Sequence, residues 1–267
     1  MRRWRRVLTR ASWTAVAIPR LSIRKTMRTS SRNPAITMEQ LLEAILDDDQ
    51  RRVKALLAAD CGLATRLIDK ARLYESAIVH WIYVGDTALH LAAAGYRGAI
   101  VGLLLAAGAD PNSARNHRRG GPLHYAADGR INCPRASDAK KQIQTVRRLL
   151  DAGAEINAQD QNGATPLHRA VRTRSVGAVR CLLWAGADPM LKNKPGATPF
   201  HLAVQDTGHG GVGTVAARVA QRQIIREFLS FGLSTALKDG KGKSVWDCAR
   251  SEWVRNWLSQ NDGEPDR

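Results

Sequence analysis

Apolar positions along this chain recur with a helical spacing and are interrupted by glycines. Residues 101–105 and residues 179–183 each place aliphatic side chains at positions i, i+3 and i+4. This spacing lines up the apolar side chains on one face of a helix, where they can pack against a neighbouring helix. Gly108 and Gly186 follow these two stretches, and glycine often ends a helix in the left-handed conformation. The pattern therefore predicts several short amphipathic helices.

A four-residue motif precedes the paired helices at regular intervals. In its most regular copy, Thr165-Pro166-Leu167-His168, the threonine can cap a helix and the proline suits the first helical turn. From a helix-ending glycine to the last residue of the next motif the spacing is 15 or 16 residues, and the shortest return from histidine to glycine is 18 residues, so the period is 33. The copies begin at Thr87, Gly121, Thr165, Thr198 and, in degenerate form, Ser244.

The 33-residue period and the Thr-Pro-Leu-His motif resemble the ankyrin repeat, in which a β-turn is followed by two antiparallel helices. The resemblance covers about residues 38–260. It implies an all-α fold, an ankyrin-repeat α-solenoid of stacked helix-turn-helix units with β-hairpin-like turns. It also implies that each motif histidine forms a hydrogen bond between neighbouring turns. One histidine per unit gives a separation of roughly 10 Å, which is too long for a shared metal ion.

The repeat register divides the chain into two tails and a repeat domain. The stretch from Glu39 to Leu57 has the pattern of a helix pair without a preceding motif, and atypical units of this kind cap a stack of repeats. We expect a disordered basic tail at residues 1–37, a repeat domain at 38–262 and a short C-terminal tail at 263–267. Within the domain the expected units are an N-terminal cap at 38–60, repeats at about 82–115, 116–159, 160–192 and 193–238, and a C-terminal cap at 239–262.

Several irregularities interrupt the period. Insertions near residues 128–142 and 206–218 fall between a first and a second helix, where they are expected to lengthen loops opposite the hairpin tips. An excess of 15 residues around 61–81 separates the N-terminal cap from the first full unit, and residues 66–73 could extend that cap as a helix. In the second unit, Arg119 replaces the glycine expected in the hairpin, which puts the geometry of that turn in doubt.

The net charge of +17 is concentrated at the N-terminus. Residues 1–37 contain ten Lys or Arg residues and no Asp or Glu. This composition is typical of dispensable disordered tails, and it also resembles organellar targeting peptides and arms that bind nucleic acid or anionic lipid. A translation start at Met27 or Met38 would instead make the segment an upstream leader. The sequence leaves these interpretations open.

Composition excludes several classes of protein. No apolar run reaches the roughly 18 to 20 residues that cross a bilayer, so a transmembrane protein is not expected. The four cysteines are widely spaced and form no C-x-x-C pair, which fits a reducing compartment better than a disulfide framework. We therefore expect a cytoplasmic protein, with organellar import or secretion through the basic N-terminus left open.

The motifs that resemble catalytic or cofactor sites have structural explanations. Residues 208–213 contain G-x-G-x-x-G, but they follow a predicted helix rather than a strand and lie in an insertion, which favours a flexible loop over a nucleotide site. No arrangement of Ser, His and Asp or of Cys and His suggests a nucleophile. The sequence thus predicts no catalytic residue, no cofactor and no metal site, and it does not indicate an enzyme.

The resemblance implies a non-enzymatic protein-protein interaction module, such as an adaptor, inhibitor or effector, that binds through a concave surface of hairpin tips and first helices. The register places mainly basic side chains there, and such a surface attracts the opposite charge, so the expected partner is a protein with an acidic segment. The alternative is a nucleic-acid-associated protein that uses the basic tail and groove, although aromatic residues that could stack on bases are sparse. The sequence does not name the partner, and the chain is expected to be a monomer. The candidate partner-binding residues are Tyr83, Asp86, His117, Arg118, Arg119, Gln161, Asn162, Arg172, Arg174, Lys194, Gln205, Lys241 and Lys243.

Overall fold

The structure is a computed structural model. The basic tail up to residue 35, the glycine-rich insertion and the C-terminal tail, for which expectations are given above, lie outside the residues that it describes. Every structural statement below refers to the described residues, which are 36–75, 78–129, 136–205 and 214–261.

Twelve α-helices in six pairs account for most of the described residues. The first helices of consecutive pairs pack against one another, and the second helices of the first five pairs pack in a second layer. Each unit therefore contacts mainly its neighbours, which confirms the predicted all-α solenoid. The helices are α1 (Met38–Leu46), α2 (Gln50–Ala59), α3 (Ala88–Ala94), α4 (Gly98–Ala106), α5 (Pro122–Ala127), α6 (Ala136–Asp151), α7 (Pro166–Arg172), α8 (Val176–Trp184), α9 (Pro199–Ala203), α10 (Val215–Ser230), α11 (Val245–Cys248) and α12 (Glu252–Asn261).

The capping signals of the motif set the helix boundaries. In the most regular unit Pro166 occupies the first turn of α7, and the hydroxyl of Thr165 accepts a hydrogen bond from the backbone N–H of His168. Gly108 and Gly186 lie just beyond α4 and α8 with φ of +92° and +93°, a conformation that costs glycine little. The predicted caps are confirmed at these positions.

An ordered cap precedes the first helix, although the sequence analysis places it in the disordered tail. The hydroxyl of Thr37 accepts the backbone N–H of Gln40, and the Gln40 side chain accepts the Thr37 N–H in return. Ile36 packs against the hydrophobic core. This reciprocal pair of bonds satisfies two N–H groups that otherwise lack partners at a helix start, so residues 36–37 belong to the folded domain.

The apolar stripes of the second helices form the core between the two layers. Val179, Leu182 and Leu183 of α8 are at most 2% exposed, as their spacing predicts. Further along the stack, the rings of Phe200 in α9 and Phe228 in α10 lie 5.1 Å apart and nearly parallel. Burial of these side chains supplies the main stabilisation of each helix pair.

Hairpin-like turns at the start of successive units form one continuous edge, which we call the tip row. It comprises residues 83–86, 116–120, 160–164, 193–197 and 239–243. From the second unit onward, backbone hydrogen bonds join each turn to the next. These bonds run from Gln161 N–H to Arg118 O (2.7 Å), from Lys194 N–H to Asn162 O (2.9 Å) and from Gly240 N–H to Gly196 O (2.8 Å).

Arg119 keeps the left-handed backbone of the tip row without being a glycine. Its φ is +52°, whereas the corresponding glycines, Gly85, Gly163 and Gly196, have φ between +70° and +91°. The turn therefore retains its geometry despite the substitution. A residue with a β carbon pays a steric cost in this region, so the turn stores local strain.

The segment expected to extend the N-terminal cap as a helix is instead a β-hairpin. A short 3-10 turn at Cys61–Ala64 is followed by strand β1 (Arg72–Glu75), which pairs antiparallel with strand β2 (Val79–Ile82). Before β1, the N–H and C=O of Ile68 bond to the backbone of the first tip, at 2.7 and 2.9 Å. The helical prediction for residues 66–73 is therefore wrong. The backbone groups of this segment find partners across the insertion, in strand and tip, rather than within a helix.

This inserted hairpin packs against the first helices of the first two full units. Ile78 is fully buried and lies so close to Gly95, at the end of α3, that a β carbon there would be 2.3 Å from its Cδ1 atom. The ring of His80 lies 4.8 Å from that of Tyr125 in α5. Every residue of α3 is buried as a result. The hairpin thus covers surface that the sequence analysis expects to be open to a partner.

The two later insertions lengthen second helices as well as loops. Helices α6 and α10 have 16 residues each, whereas α4 and α8 have nine, so the expectation that the insertions only lengthen loops is wrong. The added residues form about two helical turns. Their amides explain the extension: Gln142 Nε2 donates to Ala126 O at 2.9 Å, and Gln221 Nε2 donates to Ala203 O at 2.8 Å. These carbonyls end first helices and would otherwise lack partners.

Candidate partner-binding surface

The motif histidines join each unit to the next. In the most regular unit, the backbone N–H of Thr165 donates to Nδ1 of His168 at 3.2 Å, so the other ring nitrogen, Nε2, carries the proton. It lies 3.1 Å from Ala197 O in the following turn. The structural role that the resemblance implies is therefore confirmed. The equivalent bonds join His90 to Gly120 O, His124 to Ala164 O and His201 to Lys243 O, at 3.0 to 3.2 Å.

Burial keeps these histidines neutral. It lowers the pKa of His90, His168 and His201 below the usual value. For His124, burial and the positive charge of Arg169 lower the pKa from 6.5 to about 4. Each ring serves as a fixed hydrogen-bonding bridge, and none is available to a solvent-borne substrate.

A buried ionic network connects the first helices of the central units. Arg169 of α7 is 6% exposed and donates to Asp128 and to Asp160, both at 2.8 Å. His80 of the inserted hairpin lies 3.8 Å from Asp128. Burial opposes ionisation of Asp128, but the hydrogen bond from His80 and the charge of Arg169 outweigh it and hold its pKa below the usual range. These charges are neutralised within the protein, so they offer little attraction to a partner.

Asp86 belongs to the interior and not to the partner-binding surface for which it is predicted. Its side chain is fully buried. It accepts hydrogen bonds from the amide of Asn116 (2.7 Å), the hydroxyl of Tyr125 (2.8 Å) and the backbone N–H of Tyr83 (2.7 Å). Asp86 directly precedes the helix cap at Thr87, where the chain turns inward, so its carboxylate fastens the first turn to the second.

Arg172, Arg174 and Gln205 lie at the far ends of their first helices, about 10 Å from the tip row across a seven-residue helix. The Arg174 guanidinium donates to the carbonyls of Ala203 and Gln205 and so ties two units together. Arg172 is half-exposed and lies 3.7 Å from Asp128. These residues are therefore not brought together with the tips, contrary to the sequence interpretation.

The tip row carries exposed cations that have no anionic partner. Within the described residues, no ion pair within 4 Å involves any of these cations. Elsewhere on the surface, Arg52, Arg66 and Arg72 are each paired with a carboxylate. The acidic side chains of the tips are themselves engaged, since Asp160 and Asp239 accept backbone N–H groups of their own turns. The exposed cations are Arg119, Lys194, Lys241 and Lys243, with Asn162 exposed between them and Gln161 half-buried.

An aromatic cluster lies at the N-terminal end of the tip row. The Tyr83 ring has the Arg118 guanidinium 4.6 Å from its centroid and the edge of the His117 ring at 4.8 Å. The predicted residues Tyr83, His117 and Arg118 are thus brought together. Trp81, which the sequence analysis did not select, stacks on Tyr83 at 6.4 Å and is 49% exposed. Its position two residues before Tyr83 in a strand puts both rings on one face.

Two searches of the described residues concern other functions. None of their helices has both the length and the apolar character needed to span a membrane. They also contain no group of three or more His, Cys, Asp or Glu side chains arranged to hold a metal ion.

Comparisons with known proteins agree with the repeat architecture. Family models described as ankyrin repeats match residues 84–117, as one copy, and residues 135–215, as three copies. The Neurogenic locus Notch protein of Drosophila melanogaster is 41% identical over 78 residues, which are 29% of this chain and 2% of that protein. Alpha-latrotoxin-Lhe1a of Latrodectus hesperus is 36% identical over 89 residues, 33% of this chain and 6% of that protein.

A third relative, Ankyrin repeat and SOCS box protein 6 of Mus musculus, is 35% identical over 85 residues, which are 32% of this chain and 18% of that protein. The chain therefore spans less than a fifth of the length of each of these three relatives. The shared part is the repeat itself.

Proposed function

Because this chain is an ankyrin-repeat protein, we propose that it is an adaptor, inhibitor or effector that binds an acidic segment of a partner protein along the tip row. Ankyrin repeats are protein-protein interaction modules, and the family typically acts without catalysis. The observation that carries the proposal is the set of exposed cations on the tip row, which lack carboxylate partners within the described chain.

The charge pattern favours an acidic ligand. Like charges spaced along one edge raise the local concentration of the opposite sign and speed its approach. The paired arginines elsewhere on the surface gain little from a partner, because their carboxylates already compensate them. The tip cations gain the most from added carboxylates, since none is present.

The inserted hairpin directs a partner towards the tips. Hairpin residues cover α3 and contact α5, so the first helices of two units are closed to a ligand. Arg169 of the next unit is buried in its ion pairs. The tip row remains the exposed edge shared by all the units, which supports an extended segment as the ligand.

A capture experiment with matched charge reversals tests this function. The tip variant carries Arg119→Glu, Lys194→Glu and Lys241→Glu. The control carries three reversals to Glu at exposed lysines of second helices α2 and α6, for which no ion pair is seen within the described residues, namely Lys54, Lys140 and Lys141. Both changes alter the net charge equally, and exposed substitutions usually change the unfolding free energy by less than about 0.5 kcal/mol.

Quantitative mass spectrometry of captured proteins gives the readout. We expect proteins with acidic segments to be retained by the natural chain and by the control, and to be lost from the tip variant. Equal retention by both variants, with both folded by circular dichroism, would show that recognition does not use the tip row.

A further inference from the structure

The aromatic cluster at the start of the tip row is an ordered platform. We define the aromatic platform as Trp81, Tyr83, His117 and Arg118. Tyr83 is its centre, with the Trp81 ring stacked beside it, the His117 ring edge-on and the Arg118 guanidinium over its face. Because Tyr83 is surrounded, the half-exposed indole of Trp81 is the part of the platform left open to a ligand.

The inserted hairpin holds Trp81 in place. Trp81 pairs with Leu73 of β1 in the middle of the two-stranded sheet. On either side of it, Ile78 and Ile82 are buried in the core and anchor β2 to the first helices. A large aromatic side chain fixed on a packed strand loses little conformational freedom when a ligand binds it. The insertion therefore gives the row an apolar contact point that a bare turn lacks.

We propose that the aromatic platform binds one apolar or aromatic side chain of the acidic segment and thereby sets the register in which its carboxylates meet the tip cations. This inference rests on the proposed function and adds the position of an anchor. Trp, Tyr and Arg are the residues in which binding energy concentrates at interfaces, especially when they cluster. The platform contains all three types, whereas the remaining tips present polar and cationic groups.

Charge continues directly from the platform along the row. Arg119 follows Arg118 in the same turn, and the next turns bring Lys194 and then Lys241. The turns are hydrogen-bonded to one another at 2.7 to 2.9 Å, so the cations follow the platform in a fixed order. A ligand with an apolar anchor at one end and carboxylates along the remainder matches this order.

An extended peptide fits this pattern better than a single-stranded nucleic acid. Nucleic-acid surfaces stack successive bases on successive aromatic side chains. Beyond the platform, the described tips contain Asn162, Pro195 and Gly240 at their apices and no aromatic ring. Only one stacking position is present, so a repeated base would find no second platform.

Peptide binding to the full chain tests the anchor. The probes are fluorescein-labelled peptides of about twelve residues, which reach about 40 Å when extended. The first has one tryptophan followed by alternating glutamate and serine, the second has serine in place of that tryptophan, and the third has lysine in place of every glutamate. A single-stranded oligodeoxythymidine of similar length is the fourth probe. Fluorescence anisotropy gives each Kd.

We expect the tryptophan to tighten binding of the acidic peptide by about fivefold to tenfold, the contribution of one interface anchor. Trp81→Ala should remove this difference, and Trp81→Phe should keep most of it. Trp184→Ala is the matched control, because Trp184 is also an exposed tryptophan beside an aromatic ring but lies on second helix α8. That variant should keep the full difference.

Each outcome separates the anchor from the proposed function. Acidic peptides that bind equally with and without tryptophan, or a difference that survives Trp81→Ala in the folded protein, would overturn the platform while leaving the cationic tips intact. Equal binding of the acidic and lysine peptides would overturn the acidic ligand itself. Tighter binding of the oligonucleotide, lost in Trp81→Ala, would show that the platform stacks bases instead.

Discussion

The left-handed turn at Arg119 provides a stability test of the repeat register. Holding a residue with a β carbon in this conformation costs roughly 1 to 2 kcal/mol. Glycine removes that cost but gives the unfolded chain extra freedom, worth about 0.4 to 1 kcal/mol. The Arg119 side chain is exposed and makes no ion pair within the described residues, so its loss costs little. Arg119→Gly should therefore raise the unfolding free energy by about 0.5 to 1 kcal/mol.

Thermal and urea unfolding followed by circular dichroism measure this change. For a domain of this size the expected increase in Tm is about 1 to 4 °C. Arg119→Ala is the control, because it removes the side chain and keeps the β carbon, and its stability should stay within about 0.5 kcal/mol of the natural protein. If glycine and alanine had the same effect, or if glycine destabilised the fold, the account of strain at this turn would be refuted.

Three further predictions concern the core and the histidine bridges. Leu182→Ala, at a fully buried position of α8, should lower the unfolding free energy by about 2 to 5 kcal/mol in urea titrations, and a loss below about 1 kcal/mol would contradict the packing. His168→Ala should cost about 1 to 3 kcal/mol by the same assay, because it leaves the N–H of Thr165 and the carbonyl of Ala197 without their partner. Stability should also fall as pH drops from about 6.5 towards 4: the unfolded histidines then bind protons while the folded ones, whose pKa values are lowered, stay neutral. A Tm that stays constant over that interval would argue against neutral, buried histidines.

The repeat architecture could be predicted because its signals are local. A proline in the first helical turn, a threonine cap and a glycine beyond the second helix each act within a few residues. The spacing between them fixes which side chains are buried. The role of His168 also follows from the register, because every unit places the same ring against the same carbonyl of its neighbour.

The inserted hairpin could not be predicted because its partners are distant in sequence. Ile68 bonds to the first tip and Ile78 packs against Gly95, and neither contact follows from the local pattern of residues 66–73. The exposed position of Trp81 depends on that hairpin, so the sequence analysis missed it. Asp86 was misplaced for a related reason: its partners lie 30 and 39 residues further along the chain.

The most direct test of the central claim is the rate at which a captured partner associates with the chain at different salt concentrations. The tip reversals at Arg119, Lys194 and Lys241 should lower the association rate constant at least tenfold at low salt, because attraction becomes repulsion along the approach. The difference should shrink as ionic strength rises and screens the charges. The second-helix control should match the natural chain at every salt concentration. Equal rates for the tip and control variants would contradict recognition of an acidic segment by the tip row.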